Sequence, residues 1–161
     1  MTASDPVLEL YRRIGRGLFA YARSLTGRSD LAEDLVQETF LRWLESGRSA
    51  DQVAPAFLYG IVRHLALDVV RKSAQRQKHE FLLARRSRHA SGDGALLAQA
   101  FAEVQDLPVE QREVVVLKVF GELTFDDIGE VIGSPAATAA SRYRYALEKL
   151  SARLSAQQEA R

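Results

Sequence analysis

The 161-residue sequence predicts an all-α protein built as two small helical bundles joined by a flexible linker. Three observations carry that prediction. Apolar residues recur at steps of three and four, not two, along nearly the whole chain. Gly and Pro are sparse, at 10 and 4 residues. The periodicity fails once, from Gln75 to Gly94, where the chain is basic, polar and Gly/Ser-containing and reads as linker. The expected division is a first domain over residues 1–75, a linker over 76–95 and a second domain over 96–161.

The elements follow in order. After a short arm, MTASDP, expected to fray, Leu8, Tyr11, Ile14, Leu18, Tyr21 and Leu25 form the stripe of a first helix ended by Thr26-Gly27. Ser29 or Asp30 starts a second, running from Leu31 to about Glu45 with Ala32, Leu35, Val36, Phe40 and Trp43 on its buried side. A polar loop beginning at Ser46 leads to a third, Pro55 to about Arg76, whose apolar side carries Phe57, Leu58, Ile61, Leu65, Leu67 and Val69. Within the linker, Phe81-Leu82-Leu83 has room for one helical turn. A fourth helix spans Leu96 to Val104, and Pro108 suits the first turn of a fifth, Val109 to Phe120, which ends at Gly121. The polar tail after Leu154 is expected to fray.

The segment between Gly121 and that tail has the punctuation of a helix-turn-helix. Thr124 can cap a short helix through Phe125, Ile128 and Val131, and Gly133 can end it in a left-handed conformation. Ser134 can cap the next helix, with Pro135 in its first turn, where a missing N–H costs nothing. The second helix of such a unit enters the major groove of DNA. Here it carries Thr138, Ser141, Arg142 and Arg144 near its start.

Charge is distributed in blocks although the net charge is only +1. Residues 63–90 hold eight Lys/Arg against two Asp/Glu, and residues 101–130 hold eight Asp/Glu against two Lys/Arg. The first block suits phosphate; the second suits solvent or a protein. Either is also compatible with a plain solvated helix face. From charge alone, the two blocks are expected to associate when the chain is free in solution and to cover the DNA surfaces.

Enzyme chemistry finds little support. There is no cysteine, hence no disulfide, thiolate metal site or cysteine nucleophile. Asp126 and Asp127 are adjacent, so they point to different sides of a helix. Phosphate loops, HExxH and nucleophile elbows are absent. No catalytic residue, metal ligand or cofactor is expected. Neither a leader segment nor an apolar run near the ~20 residues of a membrane span is visible, so a cytoplasmic chain without membrane insertion is expected.

Two further surfaces are candidates. On the second helix, Asp34, Gln37, Glu38, Leu41 and Glu45 fall at steps of three and four opposite the buried side. This is either a solvated acidic face or a docking surface with one apolar anchor inside a polar rim. The third helix joins Phe57 and Tyr59 near its start to Arg63, His64, Arg71 and Lys72 further on, the mixture that holds unpaired bases by stacking and phosphate contact. Phe57 is the better core residue of the two aromatics and Tyr59 the better candidate for exposure. His64 suits a hydrogen bond or phosphate rather than a metal.

Taken together these residues resemble the extracytoplasmic-function (ECF) sigma factors of the sigma-70 family, over about residues 8–154. AEDLVQETFLRW (Ala32–Trp43) is close to region 2.2, APAFLYGIVRHLALDVVRK (Ala54–Lys72) resembles regions 2.3 and 2.4, LPVEQREVVVLKVFGELTFDDIGEVIG resembles region 4.1 and TAASRYRYALEKL resembles region 4.2. The resemblance implies a factor that binds core RNA polymerase, recognises promoter −35 and −10 elements and promotes melting. It implies that Asp34, Gln37, Glu38, Leu41 and Arg42 dock on the clamp helices of the largest catalytic subunit, with the flap as a further polymerase contact. The loop from Glu45 to Pro55 and the helix after it, including Phe57 and Tyr59, would capture a flipped base. Arg63, His64, Asp68, Arg71 and Lys72 would contact the −10 region. At −35, the implied contacts are Thr124, Thr138, Ser141, Arg142, Arg144 and Tyr145. Family members of this size are often held by an anti-sigma factor.

This chain departs from the family pattern at several positions. His64 replaces Asn, Phe57 replaces Trp and Gly60 stands where Arg is common. Ala139, Ala140 and Tyr145 replace Val, a basic residue and Arg, so the tip of the reading helix offers few donors. Methyl contacts to thymine, with Arg142 and Arg144 on phosphate, are the expected mode. The linker is basic through Arg85, Arg86 and Arg88, where many relatives are acidic; it touches nucleic acid inside polymerase or is simply solvated. Two alternative classes remain at this stage. One is a helix-turn-helix regulator that does not join polymerase; the other is an interaction protein whose DNA helix has decayed.

Overall fold

The computed structural model describes residues 5–76 and 95–160. The linker turn at Phe81-Leu82-Leu83 and the cations Arg85, Arg86 and Arg88 lie outside the described residues. Seven helices make up the described fold: α1 (Pro6–Thr26), α2 (Ser29–Glu45), α3 (Pro55–Arg76), α4 (Ala95–Gln105), α5 (Val109–Val119), α6 (Phe125–Ile132) and α7 (Ala136–Glu159).

Asp5 and Pro6 belong to α1 rather than to a frayed arm. The Asp5 carboxylate accepts the Val7 N–H at 2.9 Å, and Pro6 takes a first-turn position. At the other end Gly27 is left-handed, with φ 70°. Ile14, Leu18 and Tyr21 are buried, as the stripe predicts, but Leu8 and Tyr11 are exposed and Leu10 is buried instead. The reason is helical drift. The stripe from Leu8 to Leu25 averages fewer residues per turn than the ~3.6 of a straight helix, so its two ends cannot both face one core.

α2 buries Ala32, Leu35, Val36, Phe40 and Trp43 as expected, together with Thr39, whose hydroxyl donates to the Leu35 carbonyl at 2.7 Å. In α3 the buried side is Ala56, Leu58, Tyr59, Val62 and Ala66, while Phe57, Ile61, Leu65 and Val69 are only partly covered and Leu67 lies on the flank. The small residues lie inward, where neighbouring helices approach; the expected stripe weighted the large ones.

α5 is buried on all sides over Glu113–Leu117, because α1, α4, α6 and α7 all pack against it. α6 opens on a complete capping box: the Thr124 hydroxyl accepts the Asp127 N–H at 3.2 Å, and the Asp127 carboxylate accepts the Thr124 N–H at 3.4 Å. Gly133 ends it with φ 69°. α7 begins one residue later than expected. Ser134 makes no cap, and the Pro135 carbonyl accepts the N–H groups of Thr138 and Ala139. Its far end does not fray after Leu154. The Arg153 guanidinium donates to the carbonyls of Glu103 (3.3 Å) and Asp106 (3.2 Å), and the Gln157 amide donates to Glu103 Oε1 at 2.9 Å, so α4 holds α7 through its last turns.

The first three helices pack on one another, as do the last four, and the two groups also meet: α1 lies on α5 and α3 on α6. The core is continuous across that junction.

Candidate nucleic-acid interface

The helix-turn-helix presents one side of α7 outward. At about 100° per residue, Thr138, Ser141, Arg142 and Tyr145 fall within one face and Arg144 lies to its side. Thr138, Ser141 and Arg142 are half-buried, whereas Arg144 and Tyr145 are exposed. The Arg144 guanidinium lies 5.2 Å from the Tyr145 ring centre. Ala139 is fully buried and so belongs to the packing of the unit. Beneath, the Phe125 and Tyr143 rings meet at 5.6 Å, with the Lys118 ammonium 4.6 Å from the Phe125 centre. Thr124 is exposed, but its hydroxyl is already engaged as the cap of α6. Among the described residues Arg142 and Arg144 form no ion pair.

On the first bundle, the loop before α3 and the start of α3 enclose a 560 Å³ cleft. Its floor is Phe57, with the Arg48 guanidinium stacked 4.2 Å from the ring centre; Gly60, Ile61 and His64 continue along α3. Arg42 forms part of one wall, and Glu130, reaching over from α6, forms part of another. Further along, Asp68 pairs with Arg71 (3.8 Å) and Lys72 (4.0 Å) on an open surface, where such pairs contribute little.

The expected roles of the two aromatics are reversed. Phe57 is the partly exposed ring, and Tyr59 is 1% exposed, packed 5.9 Å from the Tyr21 ring. Burial, with Glu122 adding to it, holds the Tyr59 phenol neutral well beyond the usual range. Arg63 also differs from expectation. Its Nε donates to Glu113 Oε1 at 2.9 Å, so the guanidinium faces α5 rather than a DNA surface. Burial opposes the charge on Arg63, but Glu113 outweighs it and raises the pKa. The same carboxylate oxygen accepts the Tyr21 hydroxyl at 2.7 Å, and burial followed by Glu113 pushes that phenol up strongly.

On α2, Asp34, Gln37, Leu41 and Arg42 are exposed, Leu41 at 55%. Glu38 is paired with Arg42 at 2.9 Å. Leu44, three residues past Leu41, is also exposed and extends the apolar spot. Sequence reasoning missed Leu44, Tyr21 and Glu113 as functional candidates, and covered Arg48 only as one position of the loop from Glu45 to Pro55. Leu44 was legible from its spacing to Leu41. Glu113 was legible as the one charge leading a run, Val114–Leu117, that has no polar side. Arg48 had no local signal.

Among the described residues no group of three or more His, Asp or Glu is placed to hold a metal, and no helix is long and apolar enough to cross a membrane. The geometry is that of a two-part helical protein: a helix-turn-helix in one bundle, and in the other an aromatic-basic cleft beside an exposed acidic helix face. Comparison with known proteins narrows this. Residues 10–76 match the family Sigma-70 region 2, and residues 100–150 match Sigma-70, region 4. The chain is 34% identical over 142 residues to the ECF RNA polymerase sigma factor EcfG of Rhodopseudomonas palustris, covering 85% of this chain and 78% of that one. It is 33% identical over 127 residues to the ECF RNA polymerase sigma factor SigC of Mycobacterium tuberculosis, covering 74% and 68%. The sigma factor RpoE, solved with the anti-sigma factor NepR from Bartonella quintana, superposes with a TM-score of 0.76 at 25% identity, covering 92% of this chain and 96% of that one. CnrH, solved with the cytosolic domain of CnrY, shares the fold at a TM-score of 0.66 and 24% identity, covering 93% and 88%.

The chain belongs to the ECF sigma factors of the sigma-70 family. It is an alternative sigma factor that acts with RNA polymerase at promoter DNA, which disfavours the regulator that never joins polymerase.

Proposed function

We propose the following division of labour. The exposed face of α2 (Asp34, Gln37, Glu38, Leu41 and Arg42) docks on the clamp helices of the largest polymerase subunit, with Leu41 and Leu44 as apolar anchors and the flap as a second contact. The Arg48–Phe57 cleft receives an unpaired base of the −10 element, stacked on the ring while Arg48 shifts to the backbone phosphate. His64, Asp68, Arg71 and Lys72 follow the strand along α3. Arg63 and Tyr59 join this surface only after the second bundle moves away. The outward face of α7 enters the major groove at −35, where Arg142 and Arg144 hold phosphate and Thr138, Ser141 and Tyr145 meet base edges. Thr124 contributes by capping α6 next to the backbone.

In this reading the chain makes and breaks no covalent bond. Opening each base pair costs a few kcal/mol, offset by stacking and cleft contacts. Its site of action is the cytoplasm, beside the chromosome. By extension from the RpoE–NepR pair, an anti-sigma factor is its inhibitor. The observation that carries the reading is the cleft: an arginine stacked on a half-exposed aromatic, next to a basic helix, is a ready base platform. The test is run-off transcription with core polymerase on genomic fragments. Defined start sites that disappear with Phe57→Ala are expected; the absence of any transcript would refute the assignment.

A further inference from the structure

α2 ends beside the cleft. At about 100° per residue, Asp34, Gln37, Glu38 and Leu41 share one face of α2, and Arg42 stands at its edge, about 40° beyond Glu38. Arg42 is the one residue of α2 that lines the cleft floored by Phe57, where Arg48 and His64 are the other basic groups. Glu38 Oε1 accepts from Arg42 Nε at 2.9 Å, and both side chains are a little under half exposed. The terminal nitrogens of Arg42 make no hydrogen bond among the described residues. Glu130, the one carboxylate on the lining, makes no ion pair with Arg42. An exposed pair one helical turn apart adds little to stability. It does fix a long side chain: with Nε tied, the guanidinium keeps its direction, and both terminal nitrogens stay open to an anion.

A base stacked on Phe57 brings phosphate with it on both its 5′ and its 3′ side. Arg48, once displaced from the ring, can pair with one of them. We infer that Arg42 grips the other, so that its role extends from the edge of the dock into the cleft, and that Glu38 is its positioning residue. This rests on the assignment of the cleft to the −10 strand. The nucleotide is then clamped from two elements, the loop before α3 and the last turn of α2. Arginine contacts to phosphate add affinity there without reading sequence.

Strand binding is read with the full chain and saturating core polymerase, so that a weakened dock does not enter the result. The probe is a promoter fragment from a run-off start site, its −10 segment held open by mismatched bases, followed by fluorescence anisotropy over a range of salt. Arg42→Gln should weaken binding about tenfold and lower the salt slope by about 0.7, the share of one phosphate contact on a single strand. Glu38→Ala and Glu38→Gln remove the same charge, but only the glutamine keeps an oxygen for Arg42 Nε. Glu38→Gln should therefore bind about threefold tighter than Glu38→Ala, and the difference should vanish once Arg42→Gln is added. A difference that persists without Arg42, or none with it, would remove the positioning role of Glu38. An unchanged salt slope in Arg42→Gln would overturn the strand contact and leave Arg42 to the dock alone. All these replacements lie on an exposed helix surface, and helical circular dichroism should be unchanged in each. Phe57→Ala separates this inference from the assignment beneath it. If Phe57→Ala weakens binding and Arg42→Gln does not, only the inference falls. If Phe57→Ala binds like the unaltered chain, or core polymerase gives no start site, the −10 assignment has failed and takes the inference with it.

Discussion

Two helix-interior glycines should respond in opposite directions to the same change. Alanine in place of glycine within a helix ordinarily stabilises by about 0.5–1 kcal/mol. Gly60 in α3 has nothing within 4 Å of an added Cβ, so Gly60→Ala should show that gain in full. Gly17 in α1 is different. An added Cβ would overlap the Tyr59 hydroxyl and lie 2.8 Å from the Phe120 carbonyl, which is backbone and cannot rotate away. Overpacking of this kind costs about 1–3 kcal/mol, so Gly17→Ala should be a net loss of about 1–2 kcal/mol after the propensity gain. Urea denaturation followed by circular dichroism measures both, and each kcal/mol should move Tm by about 2–4 °C in a chain of this size. Adding Tyr59→Phe removes the hydroxyl and leaves the ring carbon 3.3 Å from the new methyl, so part of the loss should return; the Phe120 contact keeps recovery incomplete. If Gly17→Ala stabilises as Gly60→Ala does, α1 and the end of α5 are not packed together in solution, and the continuous core described above is wrong.

Other perturbations separate the surfaces. Arg142→Ala should weaken promoter binding across sequences and lower the salt slope by about 1, as loss of one phosphate contact requires; an unaltered slope would place Arg142 elsewhere. Leu41→Asp should abolish co-elution with core polymerase while changing stability by no more than about 0.5 kcal/mol, because the side chain is mostly exposed. Retained co-elution would show that α2 is not the docking face. Thr124→Ala should cost about 1 kcal/mol through loss of the α6 cap, and its DNA affinity at low temperature should change less than that of Arg142→Ala. A larger affinity loss from Thr124→Ala would mean that its hydroxyl reads DNA directly.

Helix starts and stops were legible because capping chemistry is local. Gly27, Pro55, Thr124 and Gly133 each act within a turn of their own position, and the structure uses each at the expected end or start. The reading fell short where the outcome depends on distant partners. The polar tail beyond Leu154 stays helical because Glu103 and Asp106, some fifty positions earlier, supply its acceptors. Tyr59 is buried because Gly17 leaves it room, and Arg63 turns inward because Glu113 waits there. Periodicity records that a residue has a neighbour but not which helix provides it. The charge blocks did foreshadow contact between the bundles, since opposite signs on one chain attract, but they could not single out Glu113 from its seven acidic companions in the block.

A helix wrapped on every flank is an awkward thing to unwrap. α5 owes part of its cover to α1, so pulling the halves apart strips valine and leucine surface and wets it. Apolar surface laid bare in that way and left without a partner favours self-association, so the seating of α1 on α5 also guards against clumping.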